Sequence, residues 1–482
     1  MTSLLALDQG TTSSRAIVYD EAGRETGRAQ HEFQQHFPGP GQVEHDADEI
    51  FETQWRSAEE AHQAAGRPEI CAVGITNQRE TVVVFDRETG RPIHKAIVWQ
   101  DRRTTDRLKE MAGHADRVRA LTGLPLDPYF SASKISWILD EVPGARAAAE
   151  RGELGACTVD AWLLYRLTGG EVFATEPSNA SRTSLYDLRG GSWSDELLGL
   201  FGVPRACLPE IRPTASRFGE VAATGWPVTA MIGDQQSALF GQGCLSPGEA
   251  KCTYGTGAFL LCNCGADVPT PEHGLLATVA WQIGDQVTFA LEGSVLVSGA
   301  LVQWLRDGLG IVSSAPEIEQ LARTVDDAGG VVLVPAFTGL GTPHWDPEAR
   351  GLIVGLTRGT GRGHLARAAL EAMALQVREV QLAMESAGRP FAELRVDGGA
   401  AGNDLLMELQ ATVSGVPVRR PDDLESTALG AMRMARVGAG LAQDAQAGGG
   451  RRFDPSGSVA DGEALWRRWK SAVDRSRGWA GV

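Results

Sequence analysis

A turn rich in glycine and hydroxyl side chains near the N-terminus is the part of this sequence best suited to hold phosphate. Residues 8–15 read DQGTTSSR and separate two apolar segments, 4–7 and 16–18, which predicts a strand, a tight turn and a returning strand. Backbone N–H groups and hydroxyls in such a turn can surround phosphate oxygens, and Asp8 can face the metal ion that accompanies them. An ordinary polar hairpin is the alternative interpretation.

The same pattern returns in the second half of the chain. Residues 249–262 read EAKCTYGTGAFLLC, so a strand, a Gly/Thr turn and another apolar strand again follow one another. Two such units predict two related halves, each with its own phosphate-binding turn.

Length and charge limit the classes of protein to which this chain can belong. A chain of 482 residues exceeds what one hydrophobic core serves, so we expect two domains, residues 1–243 and 244–482, with the binding site in the cleft between them. The net charge of −16 disfavours nucleic acid and anionic membranes as partners. A small-molecule substrate fits this charge better.

Neither the start of the sequence nor its cysteines indicate export. The first residues lack a basic region, the apolar run that follows is short, and no segment approaches the length of a membrane span. Seven cysteines, mostly in apolar surroundings, are typical of reduced core thiols rather than of a disulfide framework. We therefore expect a cytoplasmic protein without membrane insertion, and no metal or redox chemistry at its cysteines.

Hydrophobic patterns predict alternating strands and helices, and hence an α/β fold. The predicted strands cover residues 70–75, 81–85, 93–99, 228–233, 329–337 and 391–396. The predicted helices cover residues 103–111, 134–139, 160–167 and 364–387. Asp160 is a candidate cap of the third of these helices, and Asn403 is a candidate cap of one further helix.

A glycine-rich loop at residues 397–402 leads into that further helix. Such a loop before a helix N-terminus is suited to the phosphates or ribose of a nucleotide, although a plain strand-to-helix connection has the same appearance. No Gly-Lys dipeptide occurs in the chain and no GxGxxG motif follows a strand, so neither a Walker A loop nor a Rossmann site is indicated. A nucleotide must therefore be held by other loops.

The two turns and the glycine-rich loop together resemble the actin-like, ribonuclease H-like ATPase architecture. Residues 8–12 resemble its first phosphate loop, residues 254–257 its second, and residues 397–399 its adenosine loop. The resemblance implies an α/β fold in which two similar domains close over ATP in an interdomain cleft.

Four further motifs are similar to those of one branch of this superfamily, the FGGY family of carbohydrate kinases. They are GITNQRET at 74–81, IVWQDRR at 97–103, DPYFS at 127–131 and GDQQ at 233–236. Within the family the sequence is most similar to the glycerol kinases, and the resemblance runs from Leu4 to about Met434.

The resemblance implies a pocket for a three-carbon polyol, with hydrogen-bonding side chains for the hydroxyls and an apolar wall for the carbons. The residues implied to form it are Arg79, Glu80, Trp99, Tyr129, Asp234, Gln235 and Phe259. Asp234 is implied to be the catalytic general base, and Asp8 and Asp234 to hold Mg²⁺. A solvated Arg/Glu pair at positions 79 and 80 and a core tryptophan at position 99 are the alternative interpretations.

The nucleotide contacts are also carried over from the resemblance. They are Thr11, Thr12, Ser13, Arg15, Thr256, Gly299, Gln303, Gly399 and Asn403. Arg15 either meets the charge of the transferring phosphoryl group or pairs with a nearby carboxylate. Gly299 and Gln303 have no local signal of their own, so their roles depend wholly on the resemblance.

The implied reaction is the transfer of a phosphoryl group from ATP to glycerol, which gives sn-glycerol 3-phosphate and ADP. A homo-oligomer, dimer or tetramer, is also implied. The alternatives are another FGGY kinase acting on a pentulose, gluconate or erythritol, and an actin-like nucleotide switch without a small acceptor. Residues 222–227 read AATGWP and contain no arginine, so the inhibition by fructose 1,6-bisphosphate found in some bacterial members is not expected.

Overall fold

The computed structural model describes residues 2–442, 449–456 and 459–481 as an α/β protein of two halves. The first half contains, in chain order, β1 (Thr2–Gln9), β2 (Ser13–Tyr19), β3 (Glu25–Glu32), β4 (Gln35–His36), β5 (Glu44–His45), α1 (Ala47–Ala64), β6 (Glu69–Asn77), β7 (Val82–Asp86), β8 (Ala96–Ile97), α2 (Thr105–Glu110), α3 (Ala115–Thr122), α4 (Ser131–Glu141), α5 (Ala145–Glu150), β9 (Leu154–Thr158), α6 (Val159–Leu167), β10 (Ala174–Thr175), α7 (Pro177–Ala180), β11 (Tyr186–Asp187), β12 (Ser192–Trp193), α8 (Asp195–Phe201), β13 (Glu210–Ile211), β14 (Ala215–Glu220), β15 (Pro227–Gly233) and α9 (Asp234–Gly241). The second half contains β16 (Ala250–Tyr254), β17 (Ala258–Gly265), β18 (Leu276–Ile283), β19 (Gln286–Val295), α10 (Gly299–Asp307), α11 (Glu317–Ala322), β20 (Val332–Val334), β21 (Leu352–Val354), α12 (Arg362–Ser386), β22 (Leu394–Asp397), α13 (Asp404–Ser414), β23 (Val418–Arg420), α14 (Ser426–Gly438), β24 (Arg451–Phe453) and α15 (Val459–Ser476).

Both halves are built on the same arrangement of strands. In the first half the order is β3-β2-β1-β6-β15, in which the first two pairings are antiparallel and the next two are parallel. In the second half the order β19-β17-β16-β22-β23 repeats these four pairings with the same directions. The repeat confirms the prediction of two related, actin-like α/β halves.

The two arrangements continue into each other. Over the described residues they form one sheet of thirteen strands, joined where Ala215 of β14 lies opposite Ile283 of β18. The boundary between residues 243 and 244 stays a prediction.

Strand β1 is covered on both faces, which explains its continuous apolar sequence. Leu4 and Ala6 face α14 and pack in one cluster with Met432, whereas Leu5 and Leu7 face α1 and pack in another. Alternate residues of a strand point to opposite faces, so a strand buried on both sides contains no polar alternation. This burial holds the strand that ends at the phosphate turn.

Helix α14 belongs to the second half of the chain but packs on the sheet of the first half and against α9. A Cβ atom at Gly430 would lie 1.9 Å from the Ser237 carbonyl oxygen, and one at Gly241 would lie 2.1 Å from the Ser426 carbonyl oxygen. Side chains at these two positions would therefore separate the helices. The close contact ties the two halves together directly after Asp234.

The strand ends bring the candidate residues to one edge of the sheet. Asp8 lies opposite Thr76 of β6, and Thr76 lies opposite Ile232 of β15, so the carboxyl ends of these parallel strands meet. The turn after β1 is closed by a hydrogen bond of 2.9 Å from the Gly10 N–H to the Ser13 carbonyl oxygen. Residues that follow the three strands must therefore lie close together.

Several predicted elements are shorter than expected. The strand predicted at 93–99 is limited to Ala96–Ile97, and that at 329–337 to Val332–Val334, because only these residues form ladder pairs with neighbouring strands. The prediction of Asp160 as a cap was wrong. Thr158 occupies the cap position of α6, and the buried Asp160 carboxylate accepts hydrogen bonds from other side chains.

All seven cysteines lie in the described part of the chain, and none of them forms a disulfide. Six are buried and Cys71 is half-buried, as predicted for core thiols. Among the described helices, none has both the length and the apolar character that crossing a membrane requires.

Candidate active site

A cavity with polar and aromatic walls lies between the two halves, at the ends of β6 and β15 and beside the turn after β16. It encloses about 550 Å³ and is lined by Thr11, Arg79, Glu80, Trp99, Tyr129, Asp234, Gln235, Thr253, Gly255, Thr256, Gly257 and Phe259. All seven residues predicted for the polyol pocket are in this wall. We call this cavity the acceptor pocket.

The backbone ends of β6 and β15 place the charged groups of the acceptor pocket. Glu80 has φ of +61°, a conformation that is uncommon and costly for a residue with a side chain. Asp234 is the first residue of α9, and its Oδ1 accepts a hydrogen bond of 2.7 Å from the Gln235 N–H. A carboxylate at a helix N-terminus is stabilised by the helix dipole.

Arg79 is held rigidly by a glutamate from the other half of the chain. Its two terminal nitrogens donate to the two oxygens of Glu292 at 2.6 and 2.9 Å, and its Nε lies 3.3 Å from Asp234 Oδ1. The side chains of Arg79 and Glu292 are almost fully buried. A bidentate pair of this kind fixes the guanidinium plane, so Arg79 has a defined orientation in the pocket wall.

A second arginine completes this buried network. Arg182 donates from Nε to Glu80 at 2.6 Å and from Nη2 to Glu292 at 3.0 Å. Burial alone would raise the pKa of Glu292, but the adjacent Arg182 and Arg79 outweigh it and bring the pKa to about 2. At Glu80 burial prevails over the same two arginines and raises the pKa. Glu292 is therefore the fixed negative charge of the network.

Three aromatic rings form the apolar side of the acceptor pocket. The Trp99 ring meets Tyr129 edge to face with centroids 5.6 Å apart, and meets Phe259 in the same way at 6.2 Å. The Trp99 Nε1–H donates to the Thr11 hydroxyl at 3.1 Å, which links this wall to the first phosphate turn. Edge-to-face contacts hold the rings in fixed orientations, so the wall has a definite shape.

Asp8 and Asp234 carry the two carboxylates that the family resemblance assigns to Mg²⁺. Burial raises the pKa of both, and each has one arginine acting against that rise, Arg15 for Asp8 and Arg79 for Asp234. The charge of Asp8 also raises the pKa of Asp234. Mg²⁺ is commonly held by one or two carboxylates together with phosphate oxygens and water, which fits this donor set. Within the described residues no group of three or more His, Cys, Asp or Glu side chains forms a complete metal cage.

A larger cavity adjoins the acceptor pocket on the side of the second half. It encloses about 1120 Å³, and five of the residues predicted to contact ATP are in its wall: Thr256, Gly299, Gln303, Gly399 and Asn403. Apolar side chains of α10, α11, α12 and α13 line the rest of it together with Arg306 and Glu319. Gly255 and Thr256 belong to the walls of both cavities, so the second phosphate turn lies between them. We call this cavity the nucleotide cavity.

Asn403 has a structural role that can be measured separately from any ligand. Its side-chain oxygen accepts a hydrogen bond of 2.9 Å from the Leu406 N–H and caps α13, as the sequence predicted. We expect Asn403→Ala to lower the free energy of unfolding by about 1 kcal/mol, the usual cost of losing such a cap. Asn403→Asp keeps an acceptor there and should leave thermal stability nearly unchanged. Equal melting temperatures for the two variants would contradict this.

Three residues predicted to contact ATP lie outside the walls of both cavities. The Ser13 hydroxyl accepts a hydrogen bond of 2.8 Å from Gln30, and Thr12 accepts one through its carbonyl oxygen. Arg15 forms an ion pair with Glu425, at the start of α14. The structure thus favours the second of the two interpretations of Arg15, pairing with a carboxylate.

Sequence reasoning missed four residues that support the acceptor pocket. They are Arg182, Gln236, Lys251 and Glu292, all of them buried. A charged residue within an apolar strand, as at positions 251 and 292, is a signal that could have been used, because such a charge needs a buried partner. The sequence alone does not say which partner.

Comparisons with known proteins agree with this geometry. Residues 3–241 match the model of the N-terminal domain of the FGGY family of carbohydrate kinases, and residues 250–439 match that of its C-terminal domain. The glycerol kinase of Deinococcus radiodurans is 53% identical over 489 residues, which cover 99% of this chain and 98% of the relative. That of Alkalilimnicola ehrlichii is 53% identical over 491 residues, 100% of this chain and 99% of the relative.

A solved structure has the same fold along the whole chain. The crystal structure of Plasmodium falciparum glycerol kinase with ADP superposes with a TM-score of 0.89 at 31% identity, and covers 99% of this chain and 98% of that one. The repeated strand order, the two phosphate turns and these matches together place the chain in the FGGY family of carbohydrate kinases.

Proposed function

We propose that this protein transfers the γ-phosphoryl group of ATP to glycerol, yielding sn-glycerol 3-phosphate and ADP. The observation that carries the proposal is the acceptor pocket, which joins the nucleotide cavity at Gly255 and Thr256. Relatives called glycerol kinase that are 53% identical over nearly the whole chain support the choice of acceptor.

The pocket matches the chemistry of a short polyol. Arg79 offers hydrogen-bond donors, Glu80 and Asp234 offer acceptors, and the rings of Trp99 and Phe259 can cover the carbon chain. Hydroxyls need both kinds of partner, while the carbons gain from contact with apolar surface.

Asp234 is proposed as the general base. Burial raises the pKa of its carboxyl above the ordinary value, although Arg79 and Lys251 act against the rise. A higher pKa makes a carboxylate a stronger base for the hydroxyl proton at neutral pH. Its side chain keeps 26% of its surface open, so it can reach an acceptor in the pocket.

The phosphate turns are proposed to hold Mg-ATP, with Asp8 and Asp234 facing the metal and the nucleotide cavity taking the nucleoside. Bound Mg²⁺ offsets negative charge on the phosphates. Since phosphoryl transfer depends mainly on positioning and charge neutralisation, the chain contributes chiefly by orienting the two substrates and excluding water.

The proposal is tested by measuring ADP release with a panel of acceptors: glycerol, erythritol, xylulose, ribulose and gluconate. We expect glycerol to give the highest kcat/KM, with sn-glycerol 3-phosphate as the product. Equal or faster turnover of a ketose or gluconate would overturn the choice of substrate. Slow ADP release that no acceptor accelerates would instead indicate a nucleotide switch.

Closure of the two halves is expected when both substrates bind. The acceptor pocket has walls from both halves, so ligands that touch both favour the closed arrangement. Small-angle scattering should show a smaller radius of gyration with glycerol and a non-hydrolysable ATP analogue together than with either alone. An unchanged radius would contradict the prediction.

We also propose that the enzyme acts in the cytoplasm as a homo-oligomer. ATP-dependent metabolism and seven unpaired cysteines suit a reducing compartment. Light scattering of the purified protein would measure the oligomeric state.

A further inference from the structure

A buried lysine of the second half contacts a residue of the acceptor pocket in the first half. Lys251 lies on β16 and is 0% exposed. Its Nζ lies 2.6 Å from the Gln235 Oε1 and 2.7 Å from the Thr253 hydroxyl oxygen. Gln235 and Thr253 both line the acceptor pocket, whereas Lys251 lies behind them.

This contact decides which way the Gln235 amide points. A lysine ammonium carries three donors and no acceptor, so the amide atom facing it must be the oxygen. The amide nitrogen is then on the other side of the group, and among the described residues it has no hydrogen-bond partner from the protein. Gln235 therefore presents N–H donors to the pocket.

Two nearby carboxylates oppose the effect of burial on Lys251. Burial lowers the pKa of Lys251, and the carboxylates of Asp397 and Asp234 act in the opposite direction by favouring the ammonium form. Both contacts of Nζ are to neutral oxygen atoms, so its charge is not cancelled by an adjacent ion pair within the described chain. In the ammonium form both are hydrogen bonds from a charged donor, which are stronger than those between neutral groups.

We propose that Lys251 is a positioning residue that locks the Gln235 amide with its N–H groups toward the acceptor, and so sets the recognition of one acceptor hydroxyl. The proposal rests on the function proposed above. Asp234 accepts a proton from the substrate. The Gln235 amide beside it, with its oxygen turned toward Lys251, can only donate hydrogen bonds to the substrate. A hydroxyl bound between the two side chains directs its lone pair toward the Gln235 N–H and its proton toward the Asp234 carboxylate.

Lys251 also connects the acceptor pocket to the second phosphate turn. Strand β16 ends at Tyr254, directly before the Gly255–Gly257 turn that lies between the two cavities. The contact to Gln235 thus joins this strand to the start of α9 in the other half. Removal of the lysine should disturb the acceptor side more than the nucleotide side, because its two contacts, Gln235 and Thr253, line the acceptor pocket and not the nucleotide cavity.

The test compares four proteins: wild type, Lys251→Met, Gln235→Leu and the double variant. We expect Lys251→Met to raise the KM for glycerol by about tenfold, the cost of one misdirected hydrogen bond, with a smaller change in kcat. The double variant should be no worse than Gln235→Leu alone, since the lysine acts through the amide. Lys251→Arg, which restores a charged donor, should recover part of the lost affinity.

Deoxy analogues of glycerol measure the recognition of single hydroxyls, which a loss of protein stability alone would not change. Propane-1,2-diol and propane-1,3-diol each lack one hydroxyl of glycerol, and the wild type should discriminate strongly against the one that lacks the hydroxyl bound by Gln235. In Lys251→Met this discrimination should fall by about tenfold. Additive effects in the double variant, or unchanged discrimination, would overturn the proposal.

Two controls separate the possible failures. Wild-type turnover of glycerol is measured first, and its absence would refute the proposed function rather than the role of Lys251. Binding of a fluorescent ATP analogue to Lys251→Met shows whether the variant is folded. If it binds the analogue less than about one tenth as well as wild type, the milder Lys251→Gln replaces it in the same comparison, and additivity there refutes the proposal.

Discussion

Replacing Asp234 by asparagine is expected to lower kcat for glycerol phosphorylation by at least about a hundredfold, with a much smaller effect on the KM for glycerol. The amide has nearly the same size as the carboxylate and can still accept a hydrogen bond, but it cannot take a proton from the attacking hydroxyl. Initial rates at saturating ATP and varied glycerol measure both constants.

The pH profile provides a second test of the same role. Because burial raises the pKa of Asp234, kcat/KM of the wild type should fall as the pH drops through that raised pKa and the base becomes protonated. The residual activity of Asp234→Asn should lack this acidic limb. Asp106→Asn, at an exposed carboxylate that lines neither cavity, is the control and should behave as wild type. If Asp234→Asn kept a kcat near the wild-type value, Asp234 would not be the base.

The largest effect on stability is expected at Glu292. Glu292→Gln removes the negative charge that Arg79 and Arg182 share, and leaves two buried guanidinium groups with less compensation. Breaking a buried ion pair from one side costs about 3–5 kcal/mol. We therefore expect a clearly lower thermal unfolding midpoint and a raised KM for glycerol, since Arg79 loses its bidentate support.

A matched control is available on the surface. Glu196 makes a similar bidentate contact with Arg117, but both side chains are about half exposed, so Glu196→Gln should lower stability far less than Glu292→Gln. Equal effects of the two substitutions would contradict the importance of burial.

The contribution of Glu292 to stability is expected to decrease at acidic pH. Glu292 has a folded-state pKa of about 2, below its ordinary value of 4.5, so its contribution is complete above about pH 4.5 and is lost as the pH falls toward 2. In Glu292→Gln that part of the acid destabilisation should be absent. Acid titration monitored by circular dichroism compares the two proteins.

Local features of the site were predictable because they depend on residues close together in the chain. The turn at 8–15 lies between two apolar strands, and the cap at Asn403 satisfies an N–H three residues away. Turn residues at a strand end and capping residues at a helix start are positioned by their neighbours in the chain, without contacts from distant segments. The repeat of the turn at 255–257 also indicated two related halves from sequence alone.

The lengths of the shorter strands were not predictable in this way. The apolar segment at 93–99 has the composition of a strand, but a strand is defined by its partners, and only Ala96–Ile97 is paired with β5 and β7. Asp160 similarly has a residue type that often caps helices, but its carboxylate instead accepts hydrogen bonds from the hydroxyls of Thr158 and Thr175.

The two turns, the α/β repeat and, through family resemblance, the residues around the acceptor pocket could be predicted from the amino-acid sequence. The partners that hold those residues in place became visible only in the folded chain. Arg79 pairs with Glu292 across 213 positions and Arg15 with Glu425 across 410. The physical reason is that a buried charge must find an opposite charge or a hydrogen-bond partner, while its own neighbours in the chain do not specify which distant group will be there.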